Sequence, residues 1–444
     1  MAKLKKDEIK VLGLSSLGGM LEFYDFIIFV FFTQVISSLF FPSTLSPFWA
    51  SINTYGAFAA GYFARPLGGI IMAHFGDKSG RKKMFMLSIL LMVIPTFALG
   101  LMPTFESIGY AAPIALLVIR ILQGIAIGGE LPGAWVFVYE HSNQQSLGFH
   151  LGIFTSAVVS GILLGSIVTL AVNASFTQEE IWEYAWRIPF ILGGIFGIIS
   201  LFLRKFLNET PVFQEILALK QTQNLPIKEV FRTSQFSVIK SFFSTWILTG
   251  CVVITVLLTP NLLNEVFNLN PISKVIYQII AIFFLASGNV FAGIISDKLG
   301  VARASLLFGI ALAVFALGFY CSVNYGNIPL DMLLLLYYLM AFSAGLMVFT
   351  PIVMTQSFPA TIRYSGISFA YNISYALFGG LTPIFFCVGK GKRTDSSAWL
   401  VYGAFGNLNS NHWQNTQKTN IIKVVILALC KVIDKLYLFN FPKV

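Results

Sequence analysis

The sequence predicts an all-α polytopic membrane protein, and three observations carry that prediction. Hydrophobic residues fill 56% of the 444 positions and charged residues only 11%, where a soluble domain would have about a quarter charged. Mean hydropathy is accordingly high, at +0.78. Apolar runs of roughly 18 to 30 residues recur along the chain, and a helix needs about 20 to cross a bilayer. They lack the period-2 alternation, in segments of about ten residues, that marks a membrane β-barrel. Finally, the net charge of +10 is spread over short loops beside the apolar runs, which reads as membrane topology and not as a nucleic-acid surface.

In chain order the spans fall near 11–40, 50–75, 83–103, 111–138, 150–172 and 186–203. After a polar interval come 236–260, 271–295, 301–323, 329–356 and 363–388. The basic opening, Met1 to Lys6, resembles the start of a signal peptide, but the run behind it is too long and carries two acids, so it is expected to be a permanent first span. The domain reading is an N-terminal six-helix half over 1–203, a cytoplasmic linker over 204–235, a C-terminal half with five clear spans over 236–388, and a divergent tail over 389–444.

Span one contains Leu21-Glu22-Phe23-Tyr24-Asp25-Phe26. A carboxylate near the bilayer centre costs ~2.5–3.5 kcal/mol on insertion scales, so it persists where function or a partner supports it. Glu22 and Asp25 are three residues apart and share a helical face, which must look inward, toward water or a cation. That pair reads as a coupling site. Span two ends in Gly76-Asp77-Lys78-Ser79-Gly80-Arg81-Lys82-Lys83. The glycines permit a tight turn, Asp77 can accept from a neighbouring helix end, and the basic run suits an anionic leaflet. A purely topogenic loop would account for one copy, but Asp297-Lys298-Leu299-Gly300 repeats it 220 residues later, after span eight. Gly148 and Gly366 give a weaker echo at an offset of 218. Internal duplication follows, as in many secondary transporters.

Span four reads Arg120-Ile121-Leu122-Gln123-Gly124 through Gly128-Gly129-Glu130. An arginine within a span needs a partner, and a carboxylate of span one is the obvious one. The pair is either a structural tie between helices or part of a proton-binding site, and the two roles are compatible. Gly124, Gly128 and Gly129 favour close helix packing.

Orientation follows from the basic residues. The loops after spans one, three, five, seven and nine lack Lys and Arg, and one of them holds Glu179, Glu180 and Glu183. The other side has Lys3, Lys5, Lys6 and Lys10, then Lys78 to Lys83, the linker, Lys298, Arg303 and Arg363. The positive-inside rule puts the N-terminus and linker in the cytoplasm, although the Glu140 to His150 connection on that side has no Lys or Arg. Enzyme chemistry is disfavoured: His74, His141, His150 and His412 are scattered, and Cys251, Cys321, Cys387 and Cys430 form no CxxC, so neither metal site nor cofactor is expected. No G-x-x-x-x-G-K-[ST] motif marks an ATP-driven pump.

The span-two loop resembles the signature loop of the major facilitator superfamily, with Ala73 where that pattern usually has Gly, and the 120–130 string resembles its fourth-helix signature. Further strings resemble its metabolite:proton symporter branch: the Glu22/Asp25 string, Arg65-Pro66-Leu67-Gly68-Gly69, Trp186 to Phe190, Glu209 to Phe213, Phe358 through Arg363 to Gly366, and Asn372 through Pro383. Together they cover about residues 10–387. The resemblance implies two six-helix halves of the major facilitator type, alternating access, and proton symport of a small zwitterionic or carboxylated metabolite. Proline or betaine is favoured and 2-oxoglutarate-like acids come next. It makes Glu22, Asp25 and Glu130 the proton-coupling candidates, and Arg120 a partner for them or for a substrate carboxylate. Tyr24, Trp135 and Tyr371, with Tyr139 and Trp246, offer rings for a quaternary ammonium group, at ~0.5–2 kcal/mol per contact, or serve packing. Gly76, Asp77, Gly80 and Arg81, with Asp297 and Gly300, become gating loops, although Val301-Ala302-Arg303 replaces the basic run in the second copy. Arg65 is expected toward the cytoplasmic end of span two, either functional or snorkelling. The implied partners are substrate, protons and the lipid bilayer of the cell inner membrane, with no nucleic acid.

The tail departs from this pattern. Gly389 to Arg393 is basic on the expected outer side, and a polar stretch with Asn407, Asn409, Asn411 and Asn415 follows. Asn420 to Phe439 is apolar, but Lys423, Lys431, Asp434 and Lys435 fall within about 120° of one another at about 100° per residue, as in an interfacial helix. The twelfth span is thus atypical or missing. Either a tail read in a different frame or from foreign sequence replaces it and leaves a damaged carrier, which is the favoured reading of the tail, or it is a divergent helix whose lysines snorkel. A transport-inactive relic or scaffold with the transporter fold is the alternative function that the damaged tail raises.

Overall fold

The computed structural model describes residues 6–42, 44–45, 47–325 and 328–390, so the expectation about a twelfth span lies outside the described residues. Among the described residues eleven long helices form the bundle, several continued by shorter segments. In the N-terminal half these are α1 (Lys6–Phe31, continued by Thr33–Phe40), α2 (Pro47–Ser79), α3 (Arg81–Leu101), α4 (Ala111–His141), α5 (Leu147–Ser175) and α6 (Arg187–Arg204). The C-terminal half has α7 (Gln235–Val252), α8 (Pro271–Leu299), α9 (Val301–Tyr325), α10 (Leu330–Ser343) and α11 (Arg363–Lys390). Wider turns over Val253–Leu258 carry α7 into Thr259–Phe267, and tighter turns over Ala344–Val348 carry α10 into Phe349–Ser357.

Nine helices among the described residues are long and apolar enough to cross a membrane. Neither α2 nor α11 is one of them. Both spend positions on polar groups that turn inward, Thr54 and Arg65 on α2 and Tyr371 and Asn372 on α11, and all four side chains are buried. The same two helices lie along each other, as do α5 and α8. These seams join the halves, and a shift of six helices converts one into the other.

The polar interval between the halves is only partly a linker. Arg204 belongs to the last turn of α6 and is fully buried. Beyond it Pro211–Ala218 and Pro226–Thr233 form short helices, each started by a proline whose missing N–H is no loss there. The second of them packs on α2 and α11.

Within the N-terminal half, α2 and α4 approach through small residues. A methyl added at Gly124 would strike the carbonyl of Gly61, and one added at Gly128 would strike that of Arg65. Backbones at this separation leave no room for side chains, which is how helices gain packing energy in lipid. Gly124→Ala is therefore expected to destabilise the detergent-solubilised protein by ~1–3 kcal/mol. Gly250→Ala, where an added methyl meets nothing within 4 Å, is expected to be neutral or slightly stabilising. Thermal unfolding of the two variants checks this, and a Gly124→Ala protein as stable as its parent removes the close-packing account.

Candidate functional site

Glu22 and Asp25 face inward on α1, 2% and 3% exposed. They line a cavity with Phe58, Tyr62, Arg65, Arg120, Gln123 and Tyr375. Asp25 accepts from the Thr96 hydroxyl at 2.9 Å and from the Gln123 amide at 2.9 Å. Arg120, one turn before Gln123 on α4, donates to its side-chain oxygen at 2.5 Å and stands 3.8 Å from Asp25. The Arg120 guanidinium also lies 3.7 Å from the Phe29 ring centre and 5.6 Å from that of Phe58. The expected pairing of Arg120 with a span-one acid is present, but Gln123 mediates it. Two neutral donors hold the carboxylate, so Asp25 does not depend on the cation alone.

Glu22 takes a different partner. Arg65 of α2 reaches it at 3.4 Å, and also bonds Asn372 and Tyr371 of α11, each at 3.4 Å. With 5% of its surface exposed, Arg65 does not snorkel to the interface. A carboxylate and three tyrosine rings give it a better environment inside the bundle than its length would give it at the rim. The chamber thus holds two acids and two arginines. Sequence reasoning missed Tyr62, Gln123 and Tyr375, because nothing in apolar helices distinguishes a cavity-facing Tyr or Gln from a packing one.

The other candidates disperse. Glu130 does not line the chamber. It forms a doubly bonded ion pair with Arg204, joined by the Ser88 hydroxyl, and the Arg204 guanidinium stacks 3.6 Å from the Phe85 ring centre and donates to the Phe85 carbonyl at 2.8 Å. This pair sits beside Gly18, one turn of α1 from Glu22. Tyr24 donates its hydroxyl to the Pro189 carbonyl at 2.8 Å, tying α1 to α6. Trp135 packs edge-on against Tyr371 at 4.9 Å, and its indole N–H has no acceptor among the described residues. Tyr139 lies under Arg363, and Trp246 stacks on Phe378. Among the aromatic candidates, Tyr371 touches a chamber charge, the Arg65 guanidinium.

The two Asp-Lys loops do the same thing in the two halves. Asp77, at the end of α2, accepts from the Ser365 backbone N–H at 2.8 Å, in the first turn of α11. Asp297, at the end of α8, accepts from the Gly148 and Phe149 N–H groups at 2.7 and 2.8 Å, in the first turn of α5. Each carboxylate satisfies orphan donors at a helix start in the opposite half, where the helix dipole favours it. The echo between Gly148 and Gly366 marks these two helix starts. Gly80 and Gly300 end α2 and α8 at φ +119° and +83°, the region only glycine enters freely.

The first copy carries more. Arg81 bonds the Ala360 carbonyl at 2.6 Å and pairs with Asp77 at 3.2 Å and Glu140 at 3.3 Å. Glu140 also pairs with Arg363 of α11 at 2.9 Å and accepts from the Thr210 hydroxyl at 2.6 Å. Glu209 accepts from the Lys82 N–H at 3.1 Å, and Phe213 lies under the Arg81 guanidinium. Glu140 and Glu209 belong to this network, although the sequence assigned no contact to Glu140 and offered Glu209 only as the start of a family string. In place of Arg81 the second copy has Val301, so Asp297 holds its seam without an arginine of its own loop.

The profile described as Major Facilitator Superfamily matches residues 24–383. The Proline/betaine transporter of Escherichia coli (strain K12) is 32% identical over 404 residues, covering 88% of this chain and 77% of that protein. The Proline/betaine transporter of Salmonella typhimurium (strain LT2) is 32% identical over 405 residues, with the same shares covered. Among solved structures, the proton:xylose symporter XylE bound to 6-bromo-6-deoxy-D-glucose superposes with a TM-score of 0.78 at 17% identity, over 98% of this chain and 96% of that one. The human organic anion transporter MFSD10 gives 0.65 at 14% identity, over 97% and 100%. These two likenesses are of fold.

The Glu130 pair has a thermodynamic signature. Removing one member of a fully buried ion pair strands the other, at ~3–5 kcal/mol. Arg204→Met is expected to lose about that much stability in a thermal or denaturant unfolding experiment, and the double variant Arg204→Met with Glu130→Gln to recover most of it. A double variant as unstable as the single one would show that the pair is not the unit.

Proposed function

Because the chain belongs to the major facilitator superfamily, we propose that it is a proton-coupled symporter of a small zwitterion, proline-like or betaine-like, working by alternating access around the chamber between its halves. The observation that carries this reading is the charge content of the chamber. Two acids and two arginines share one buried space, and a substrate with one carboxylate and one cationic centre leaves that balance unchanged. A dicarboxylate would bring two more negative charges to the same acids, which makes 2-oxoglutarate-like substrates the poorer fit.

Asp25 is the proposed proton carrier. While ionised, it accepts from Thr96 and Gln123 and attracts Arg120. A proton on Asp25 removes that attraction and leaves Arg120 available for a substrate carboxylate, so proton and substrate favour each other. Glu22 is placed to act on Arg65 in the same way. Glu130 is the weakest of the three proton candidates, since its partner Arg204 bonds it twice and it does not line the chamber.

The ties at the basic-loop end are the proposed gate. Asp77 on α11, Asp297 on α5, and Glu140 with Arg363 join the halves there, and they must part for the chamber to open on that side. By the positive-inside rule that end and the N-terminus are read as cytoplasmic, in a chain proposed to lie in the cell inner membrane.

Proteoliposomes test the coupling. An inward gradient of one pH unit supports about tenfold accumulation per coupled proton. Labelled proline or glycine betaine is expected to accumulate with the parent protein. Asp25→Asn is expected to lose accumulation while keeping downhill exchange. An Asp25→Asn protein that still concentrates substrate removes Asp25 from the coupling, and a folded parent that takes up neither compound under a gradient overturns the transport reading.

A further inference from the structure

Arg65 is seated in a way that pairing with Glu22 does not explain. Its polar contacts, to Glu22, Tyr371 and Asn372, are all 3.4 Å long, whereas bonds between ionised partners are ordinarily about 2.7–2.9 Å. Its guanidinium carbon lies 4.6 Å from the ring centre of Tyr375, 5.4 Å from that of Tyr371 and 5.5 Å from that of Tyr62. All three distances are inside the ~6 Å at which a ring face attracts a cation. The rings hold this cation as much as its ligands do.

The surroundings have unused capacity. One oxygen of Glu22, Oε2, is buried and accepts no hydrogen bond among the described residues. Glu22, Tyr62, Arg65 and Tyr375 all line the chamber, so the cage opens on the space where substrate is proposed to sit. Its rings come from both halves: Tyr62 from α2, Tyr371 and Tyr375 from α11. Tyr62 and Tyr375 stack face to face, 5.6 Å apart and 9° from parallel.

We propose that Tyr62, Tyr371 and Tyr375 form the cation subsite of the carrier, filled in this conformation by Arg65 as a stand-in. A substrate ammonium displaces the guanidinium from the rings, and the substrate carboxylate then pairs with it. The inference rests on the zwitterion reading above and gives it a mechanism of selection. A ligand with only a cation evicts Arg65 and offers it no partner. A ligand with only a carboxylate draws Arg65 away and leaves the rings uncovered. A zwitterion does both at once, and the rings favour an ammonium clothed in carbon, as in betaine or proline, over a strongly hydrated one.

Isothermal titration calorimetry on the full chain in detergent, with no proton gradient, separates this from the coupling. The probes are glycine betaine, tetramethylammonium, and 3,3-dimethylbutyrate, which keeps betaine's shape and carboxylate without the positive charge. Betaine is expected to bind, and each half-ligand at least about tenfold more weakly. Tyr375→Phe, which keeps the ring face, is expected to stay within about twofold of the parent for betaine, and Tyr375→Leu to weaken it by about 5- to 30-fold. The half-ligand comparison needs no variant, so a Leu protein that fails to fold leaves the test standing. Equal affinity for betaine and 3,3-dimethylbutyrate overturns the cage, as does a folded Tyr375→Leu protein that binds betaine like its parent. The variant result leaves the zwitterion reading intact, whereas equal affinity for the two ligands also removes the charge-balance argument behind it. Failure of the parent to bind any zwitterion overturns both.

Discussion

A charge inside a bilayer must be paired, and the N-terminal half is built around that constraint. Six buried ionisable residues come together in three pairs along α1: Glu130 with Arg204 beside Gly18, Arg65 with Glu22, and Arg120 with Asp25. From Gly18 to Asp25 the helix rises about 10 Å, so the pairs form a short ladder across the middle of the bundle. They differ in how tightly they are made. Glu130 and Arg204 share two bonds, with Ser88 and Phe85 completing the shell. The other two pairs stand at 3.4 and 3.8 Å and open on a cavity. A complete buried pair is hard to rearrange without stranding a charge. A loose one beside neutral donors and ring faces is not, because its members have other partners within reach.

At the basic-loop end the internal duplication is turned into contact. The aspartate that ends α2 serves the start of α11, and the one that ends α8 serves the start of α5. Helix starts attract carboxylates wherever they occur, each by roughly 1 kcal/mol, so a repeated loop yields a repeated tie between the halves. The copies then diverge. Around Asp77 stand Arg81, Glu140, Arg363 and Thr210, whereas Asp297 accepts from two backbone N–H groups. The seams are related by symmetry of fold and unequal in chemistry, with the polar network concentrated on α2 and α11.

Much of this was legible in the sequence, and what was not has a physical reason. The membrane class, the helix order and the family followed from long apolar runs and from short strings whose residue types are constrained. Glu22, Asp25 and Arg120 stood out because an ionisable residue in an apolar run is anomalous by itself. Arg65 also stood out as a charge, but its proximity to the end of a span suggested the interface, and only the packing of α2 on α11 reveals the rings around it. Tyr62 and Tyr375 were invisible: in a chain with 15% aromatic residues, a tyrosine facing a cavity looks like one facing lipid. Glu130 was misleading in the opposite sense, since its partner Arg204 lies 74 residues away at a point where composition suggested a linker. Pairing across such distances leaves no local periodicity to read.

The proposed cage and the proposed gate lie on the same pair of helices, which would tie chemistry to movement. On α2, Tyr62 and Asp77 are about 22 Å apart; on α11, Ser365 and Tyr375 are about 15 Å apart. Between them the helices touch through Gly69 against Ser368 and Asn372, and through Gly76 against Tyr364, whose hydroxyl donates to the Gly129 carbonyl at 2.6 Å. A seam closed by glycines, with side-chain hydroxyls of α11 bonded to backbone carbonyls of α4, has little soft material in it, which favours movement of the helices as units over yielding side chain by side chain. In the proposed subsite, an exchange of cations on Tyr62 and Tyr375 would alter the contact between α2 and α11 at the centre, and the same two helices carry Asp77 and Ser365 of the proposed gate. The two proposals therefore fall on one pair of packed helices, so a change at the first would load the second.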